Sequence, residues 1–512
     1  MTDLQIIAEI VTKYRTKDIN ILEPGTKHKS NGKKYNEAFL GLPLGISPDY
    51  KKDGKRAEKP TDDYLGYKRG SDAFRQFVSR FTERLLNMLF HLDISNSHLS
   101  IARKAEFQCS RMQHQVRALS MLYGRRPAVK IAHKSLNLAL KYGLSEFVMY
   151  NAAYLRTVAS ESGDKLLFEE CSALYRHWMA RLAAEEKAKT LLETIIVEYG
   201  KSAAQKTELA KVALGYAKEI EKDILTYDSY ILQYHKRKLE ALGHEIGHHF
   251  QKSVDVWNEF KEYLDGHPNF ASNIRYGEIA LQQLENYLHL RLYNEGNKCA
   301  EACEKYFVQG TRDFFVSKEY HYLLAMQSGE YTKGAQILEN VLKQRRIEDM
   351  STAMREKWTL FQAYSVYVSG SRKQIEAFNL AKFTNELDLL SKDKRGYNIA
   401  ILILLWCMLL RKGDFDGLYA LSPKLKEYRL RNLRNKQDMR TNLFLGLMQF
   451  AERWFYNASI MEKKGNWRLQ NLLNASYRYT GNMEGIEIIL FEKLWLSAIE
   501  DIKKGRRSIK SL

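Results

Sequence analysis

The stretch that decides the fold reads YHYLLAMQS-GEYTKG-AQILENVLKQ and covers residues 320–344. Its two outer segments carry apolar residues at three- and four-residue spacing, which indicates amphipathic helices. The polar break between them begins at Gly329, and glycine commonly ends a helix because it enters the left-handed region at no steric cost. The stretch therefore predicts a helical hairpin, in which two helices are joined by a tight turn.

Similar breaks recur along the chain. Gly413-Asp414 separates ILLWCMLLRK from LYALSPKLKEY, and the polar residue after each glycine can cap the next helix. The other predicted breaks are Gly163-Asp164, Gly296-Asn297, Gly370-Ser371 and Gly481-Asn482. From position 296 the successive intervals to 329, 370 and 413 are 33, 41 and 43 residues. Periods in this range are typical of stacked helical hairpins.

These residues resemble the tetratricopeptide (TPR) family, which has a glycine-acid-aromatic turn between two helices and a small residue, here Ala335, early in the second. The resemblance is clearest over 290–425, although the family's Trp-x-x-Leu-Gly start and closing proline are absent. It implies an all-α fold, an irregular right-handed α-solenoid of stacked antiparallel hairpins whose concave face binds a protein or peptide. The chain is also similar to a broad group of uncharacterised bacterial helical proteins, which implies no function.

Proline divides the chain unevenly, since four of its seven prolines fall within the first 60 residues. Proline disrupts helix interiors by removing an amide donor and clashing with the preceding turn. We therefore predict a short N-terminal helix and an irregular charged arm over residues 1–70. The remaining predicted segments are divergent helical hairpins over 71–290, TPR-like repeats over 291–500 and a basic tail over 501–512.

The net charge of +19 and the pI near 9.4 permit attraction to nucleic acid, an anionic membrane or an acidic protein. Basic clusters occur at 51–56 and 503–507, and a helically spaced set lies within 429–440: Arg429, Arg431, Arg434, Lys436 and Arg440. Such a set can contact phosphates, which makes a nucleic-acid-associated protein the first alternative to a protein-binding scaffold. A solvated basic helix face is the simpler interpretation of the same residues.

Several features bear on location. The longest apolar run, Ile399–Leu410, has 12 residues, whereas a membrane span needs about 20. The N-terminus reads as an amphipathic helix rather than a signal peptide. Five scattered cysteines include no C-x-x-C pair, and Cys299 and Cys303, four residues apart, do not make a zinc site by themselves. We expect a cytoplasmic protein with buried, reduced cysteines.

One motif competes with this interpretation. His244-Glu245-Ile246-Gly247-His248 resembles the zincin metalloprotease motif, in which both histidines bind zinc and the glutamate acts as general base. No third ligand follows in a known pattern, and Gly247-His248-His249 aligns with the break at Gly329. We therefore predict that the motif spans an inter-helix turn, with its histidines capping a helix or facing solvent. On this interpretation no catalytic, metal or cofactor residue is predicted, and a zinc-dependent hydrolase is the second alternative.

Overall fold

The computed structural model describes most of the chain, and its regular structure is almost entirely helical. The described residues are 3–14, 35, 37–39, 63–64, 67–68, 70–201, 206–385, 397–433, 439–475 and 487–509. Within them the strands are β1 (Asp63–Tyr64) and β2 (Tyr67–Lys68), an antiparallel pair in which Tyr64 lies opposite Tyr67. The predicted arm over 16–70 lies largely outside the described residues.

The helices follow one another with short connections. In chain order they are α1 (Asp3–Tyr14), α2 (Asp72–Met88), α3 (Ile101–Met121), α4 (Arg125–Tyr142), α5 (Ser145–Ser162), α6 (Lys165–Lys201), α7 (Lys206–Thr226), α8 (Tyr230–Ile246), α9 (Phe250–Gly266), α10 (Asn273–Leu290), α11 (Tyr293–Tyr306), α12 (Arg312–Ser328), α13 (Tyr331–Leu342), α14 (Thr352–Ser369), α15 (Arg372–Ala377), α16 (Leu380–Asn385), α17 (Tyr397–Lys412), α18 (Phe415–Asn432), α19 (Met439–Arg453), α20 (Ala458–Asn474) and α21 (Phe491–Ile509). Short 3₁₀ turns cover Leu89–His91 and Arg345–Asp349.

The chain forms two compact units. The first comprises Met1–Val197, Tyr216–Lys236 and Glu262–Ile274, and the second comprises Glu198–Gly215, Arg237–Lys261 and Arg275–Leu512. In each unit, helices that are consecutive in sequence pack against one another, for example α3 with α4 and α12 with α13. This arrangement confirms the predicted all-α class built from helical hairpins.

In the first unit, small residues allow α3, α4 and α5 to approach closely. Ala132 and Ala139 of α4 are fully buried and pack in one core cluster with Cys109 of α3 and Val148 of α5. α4 ends at Gly143, which has φ +64° and so provides the left-handed cap that the turn into α5 requires. These contacts fix α3 and α4 side by side, and a groove lies between the two helices.

In the second unit, the apolar run of the sequence forms the middle of α17. Ile403, Leu404 and Met408 are fully buried in the largest core cluster, because this helix packs against α14, α18 and α21. Within the described residues, no helix is both long enough and apolar enough to cross a bilayer. All five cysteines are free, and four of them are buried.

The predicted breaks have three outcomes. Gly163, Gly329 and Gly413 end helices with positive φ, as predicted, and Gly370 follows the end of α14 with extended rather than left-handed backbone. The predicted break at Gly296 is wrong, because this glycine lies inside α11. A Cβ there would lie 2.7 Å from Leu324 Cδ1, so the residue serves close helix packing instead. Gly481-Asn482 lies outside the described residues.

Candidate functional site

The His-Glu-x-x-His motif spans the end of α8. His248 has φ +61°, and its N–H donates to the Glu245 carbonyl at 2.9 Å. The N–H of His249 donates to the His244 carbonyl at 2.8 Å. Paired bonds of this kind close a helix in the Schellman motif, in which one residue takes the left-handed conformation. The predicted inter-helix turn is therefore confirmed.

The side chains of the motif differ in exposure. His244 and His248 are half-buried and the following His249 is exposed, and His248 occupies the capping position at the end of α8, which is one of the two predicted alternatives. Burial lowers the pKa of His244 below its usual value. Because α8 ends at Ile246, His244 and His248 do not lie one turn apart on one continuous helix. Among the described residues, no three His, Cys, Asp or Glu side chains are grouped so that they could hold a metal ion.

Glu245 and His248 instead line a cavity of about 220 Å³ in the second unit, which we call the carboxyl cavity. Its walls come from the end of α6, from α8 and the turn that follows it, from the start of α9 and from α10. The lining residues are Tyr199, Leu242, Glu245, Ile246, His248, Phe250, Gln282, Glu285, Asn286 and His289. Two carboxyl groups and two imidazoles thus share one enclosed space.

Glu245 is held in a partly buried hydrogen-bond network. Ser253 Oγ and Asn286 Nδ2 each donate to Glu245 Oε1 at 2.8 Å. Asn286 Nδ2 also lies 2.8 Å from the Gln282 carbonyl and 3.3 Å from Ser253 Oγ, whereas Asn286 Oδ1 is buried and has no hydrogen-bond partner among the residues that the structure describes. Burial raises the pKa of Glu245, and the two donors act in the opposite direction.

The second carboxyl group of the lining, that of Glu285 on α10, belongs to a half-buried residue. Burial raises its pKa to about 8, and the nearby Glu245 charge adds to the effect. Burial lowers the pKa of His289 to about 3, and its ring stacks on Phe250 with centroids 3.9 Å apart. Near neutral pH, Glu285 is therefore protonated and His289 is uncharged, so the cavity contains no positive imidazolium from His289.

A second site, the basic groove, lies between α3 and α4 in the first unit and has a volume of about 560 Å³. It is lined by Gln108, Arg111, Met112 and Gln115 of α3 and by Lys134, Asn137, Leu138 and Lys141 of α4. On each helix these positions recur at three- and four-residue spacing, which places them on one face. The groove therefore has two rows of cationic and amide side chains above a floor that includes Met112 and Leu138.

The hairpin that carries the groove is strongly basic. Between Asp93 and Glu146 the sequence has nine Lys and Arg residues, and Glu106 is its only acidic residue. Glu106 pairs with Arg103 at 2.7 Å, away from the groove lining. Arg111, Lys134 and Lys141 are exposed and form no ion pair with any residue in the described part of the chain. Sequence reasoning missed this hairpin because its basic residues are spaced rather than consecutive; the local ratio of basic to acidic residues would have revealed it.

The basic cluster predicted within 429–440 is described at Arg429, Arg431 and Arg440. Arg440 is buried and pairs with Glu487 at 2.6 Å and with Glu492 at 2.5 Å. Arg429 donates to Asn442 at 2.6 Å, and Arg431 is exposed and pairs with Glu427. Arg440 is therefore not part of a surface basic face, which corrects the prediction at that residue, whereas Arg431 lies on a solvated helix face. Arg434, Lys436 and the cluster at 51–56 lie outside the described residues.

The tail cluster is only partly described. Lys503 pairs with Glu462 at 2.8 Å, and Lys504 lies 3.9 Å from Glu500. Both lysines lie on α21, so the predicted basic tail begins as part of a helix.

No family model, no curated protein and no solved structure matches this chain. The carboxyl cavity and the basic groove are therefore the features that bear on function.

Proposed function

We propose that this chain is a non-enzymatic binding protein built on helical hairpins, and that its basic groove binds the phosphate backbone of a nucleic acid. The observation that carries the proposal is the pair of facing rows on α3 and α4, in which Arg111, Lys134 and Lys141 form no ion pair among the described residues. Cations without internal ion pairs are available to phosphates, and the release of condensed counterions then drives binding.

The composition of the groove favours nucleic acid over a peptide. Peptide and small-molecule sites are mainly apolar with a few polar groups, whereas nucleic-acid interfaces are strongly positive and polar. Here six of the eight lining residues are cationic or amide side chains. Amides such as Gln108 and Asn137 can donate to phosphate or sugar oxygens, which position a nucleic acid without reading its sequence.

The turn between α3 and α4 offers a further contact. Tyr123 is 97% exposed with φ +60°, and Arg125 and Arg126 follow it. An exposed aromatic ring beside arginines suits stacking on an unpaired base. We therefore expect single-stranded nucleic acid to bind more tightly than duplex.

A second candidate, a protein-binding scaffold, is favoured by the same turn. Met121 and Leu122 are 77% and 78% exposed, so three consecutive large apolar or aromatic residues face solvent. Such runs are uncommon on a surface without a partner. We place either activity in the cytoplasm, where the five free cysteines stay reduced.

The experiment measures fluorescence anisotropy of labelled 20-nucleotide single strands and duplexes with the full chain. The test variant reverses the groove charge through Arg111→Glu, Lys134→Glu and Lys141→Glu. A matched control reverses three exposed lysines of the same unit outside the hairpin, Lys165, Lys189 and Lys222, and so has the same net charge. We expect the groove variant to lose at least about tenfold in affinity while the control loses little. Equal losses would show that total charge, and not the groove, attracts the nucleic acid.

A further inference from the structure

We propose that the carboxyl cavity binds a small organic cation that carries a guanidinium or an amine group. The cavity belongs to the second unit and takes no part in the nucleic-acid binding proposed for the basic groove. Its two carboxyl groups come from different helices, Glu245 from the last turn of α8 and Glu285 from α10. They are close enough for the charge of one to act on the other.

The size and spacing of the groups fit a molecule better than a bare ion. A water molecule occupies about 30 Å³ in the liquid, so a cavity of about 220 Å³ accommodates a ligand of several non-hydrogen atoms. Within the described residues, no three ligand-type side chains converge on one point as a metal requires. Glu245 and Glu285 line the cavity from two different helices, so one ligand with several N–H groups can contact both.

The hydrogen bonds that Glu245 accepts also favour a ligand that donates. The two hydrogen bonds to Glu245 from Ser253 and Asn286 both end on Oε1. Guanidinium and ammonium groups are rich in donors and accept nothing, which matches acceptors of this kind.

The remaining lining supports a positive charge. Tyr199 and Phe250 bring aromatic rings to the cavity, and such rings attract cations through their faces. His289 carries no charge near neutral pH, since burial lowers its pKa to about 3. A cation therefore meets two carboxyl groups and aromatic surface, with no repulsion from an imidazolium at His289.

Binding should compete with the proton on Glu285. The pKa of this carboxyl is raised to about 8, so a ligand that stays positive from pH 6 to pH 9 should bind more tightly as the proton leaves. The titratable and charged groups around Glu285 are Glu245 and Lys238 of α8, Glu319 and Tyr320 of α12, His248, His289 and Tyr199.

The experiment is isothermal titration of the full chain with methylguanidinium, agmatine and n-butylammonium. Methylurea and butanol serve as uncharged ligands of similar shape, and zinc, magnesium and manganese chlorides serve as bare cations. At pH 8.5, where most of Glu285 is ionised, we expect saturable 1:1 binding of an organic cation, at least about tenfold weaker in Glu285→Gln and in Glu245→Gln because a charge-assisted bond is lost. Glu301→Gln, an exposed position on α11, is the control and should leave affinity unchanged.

Two further measurements do not depend on the Glu245 and Glu285 variants, and so remain informative if those variants misfold. Tyr199→Ala changes an exposed residue at the edge of the cavity and should weaken guanidinium binding by a few fold. Methylguanidinium affinity of the unmodified chain should rise by at least about tenfold between pH 6 and pH 8.5. The proposal is overturned if no organic cation gives saturable heat, if methylurea binds as tightly as methylguanidinium, if affinity does not rise with pH, or if zinc alone binds.

Discussion

Asn286 of α10 donates to Glu245 of α8 across 2.8 Å, and this bond joins two helices whose residues lie 41 positions apart in the sequence. The same amide is tied to Gln282 of its own helix, so the carboxylate is held against a fixed donor. The motif glutamate that resembles a zincin base is thus a half-buried hydrogen-bond acceptor on the wall of a cavity.

Replacing the amide should destabilise the second unit. Asn286→Ala removes a donor from a buried carboxyl group, and we expect a loss of about 2–4 kcal/mol because the remaining partner is left under-satisfied. Urea unfolding monitored by circular dichroism measures the change. Asn340→Ala, at an exposed position on α13, should stay within about 0.5 kcal/mol. Equal losses in the two variants would show that the network contributes nothing.

Glu285 should make stability depend on pH. Its pKa is about 8 in the folded chain and 4.5 ordinarily, so between these values the folded chain keeps a proton that the unfolded chain has released. Stability therefore falls as pH rises through this window. Glu285→Gln cannot titrate, and its stability relative to the unmodified chain should rise by at least about 1 kcal/mol from pH 5 to pH 8. A difference that stays constant with pH would contradict the assignment.

His289 provides an internal reference for the same measurement. Its pKa is depressed from 6.5 to about 3, so the unfolded chain binds the extra proton and stability falls as pH drops below 6.5. The Glu285→Gln variant retains this decrease in stability at acidic pH, because His289 is unchanged. Both proteins should therefore lose stability alike toward pH 3, and they should differ on the alkaline side.

The hairpin turns can be tested through two glycines of opposite role. Gly329→Ala forces φ +94° on a residue with a Cβ, and we expect a loss of about 1–2 kcal/mol. Gly215 lies within α7 and has open space where a Cβ would stand, so Gly215→Ala should be neutral or stabilising by up to about 1 kcal/mol. Chemical denaturation checks both, and a stabilising Gly329→Ala would be inconsistent with a left-handed turn.

Arg440 should be essential to the second unit, whereas Arg431 should not. Arg440→Ala leaves Glu487 and Glu492 without their buried partner, and we expect a loss of about 3–5 kcal/mol. Arg431→Ala breaks only an exposed pair and should cost less than about 1 kcal/mol. Thermal unfolding of the two variants separates these roles, and similar stabilities would mean that the buried pair is not formed.

The sequence predicts the helical class well because glycine turns and apolar spacing are local signals. It fails at Gly296, since the same residue type can end a helix or admit a neighbour such as Leu324, and only packing decides which. The turn before α11 instead uses Arg291 with φ +56°, which no glycine marks.

The two sites differ in how far sequence could reach them. The basic groove has a sequence signal in the scarcity of acids near Glu106, although its floor depends on how α3 and α4 pair. For the carboxyl cavity the only sequence signal is the His-Glu-x-x-His motif, which suggests a metal site instead. The motif contains Glu245 and His248, but Glu285 and His289 line the same cavity only because α8 and α10 pack together.

The central claim is that the basic groove holds phosphates, and the salt dependence of affinity tests it most directly. Anisotropy with a single-stranded 20-mer should give a linear plot of log affinity against log salt, with a slope of about −0.7 per phosphate contacted. We predict that reversing Arg111, Lys134 and Lys141 flattens this slope by about 2. An unchanged slope in that variant, or no binding by the unmodified chain near about 50 mM salt, would contradict the claim.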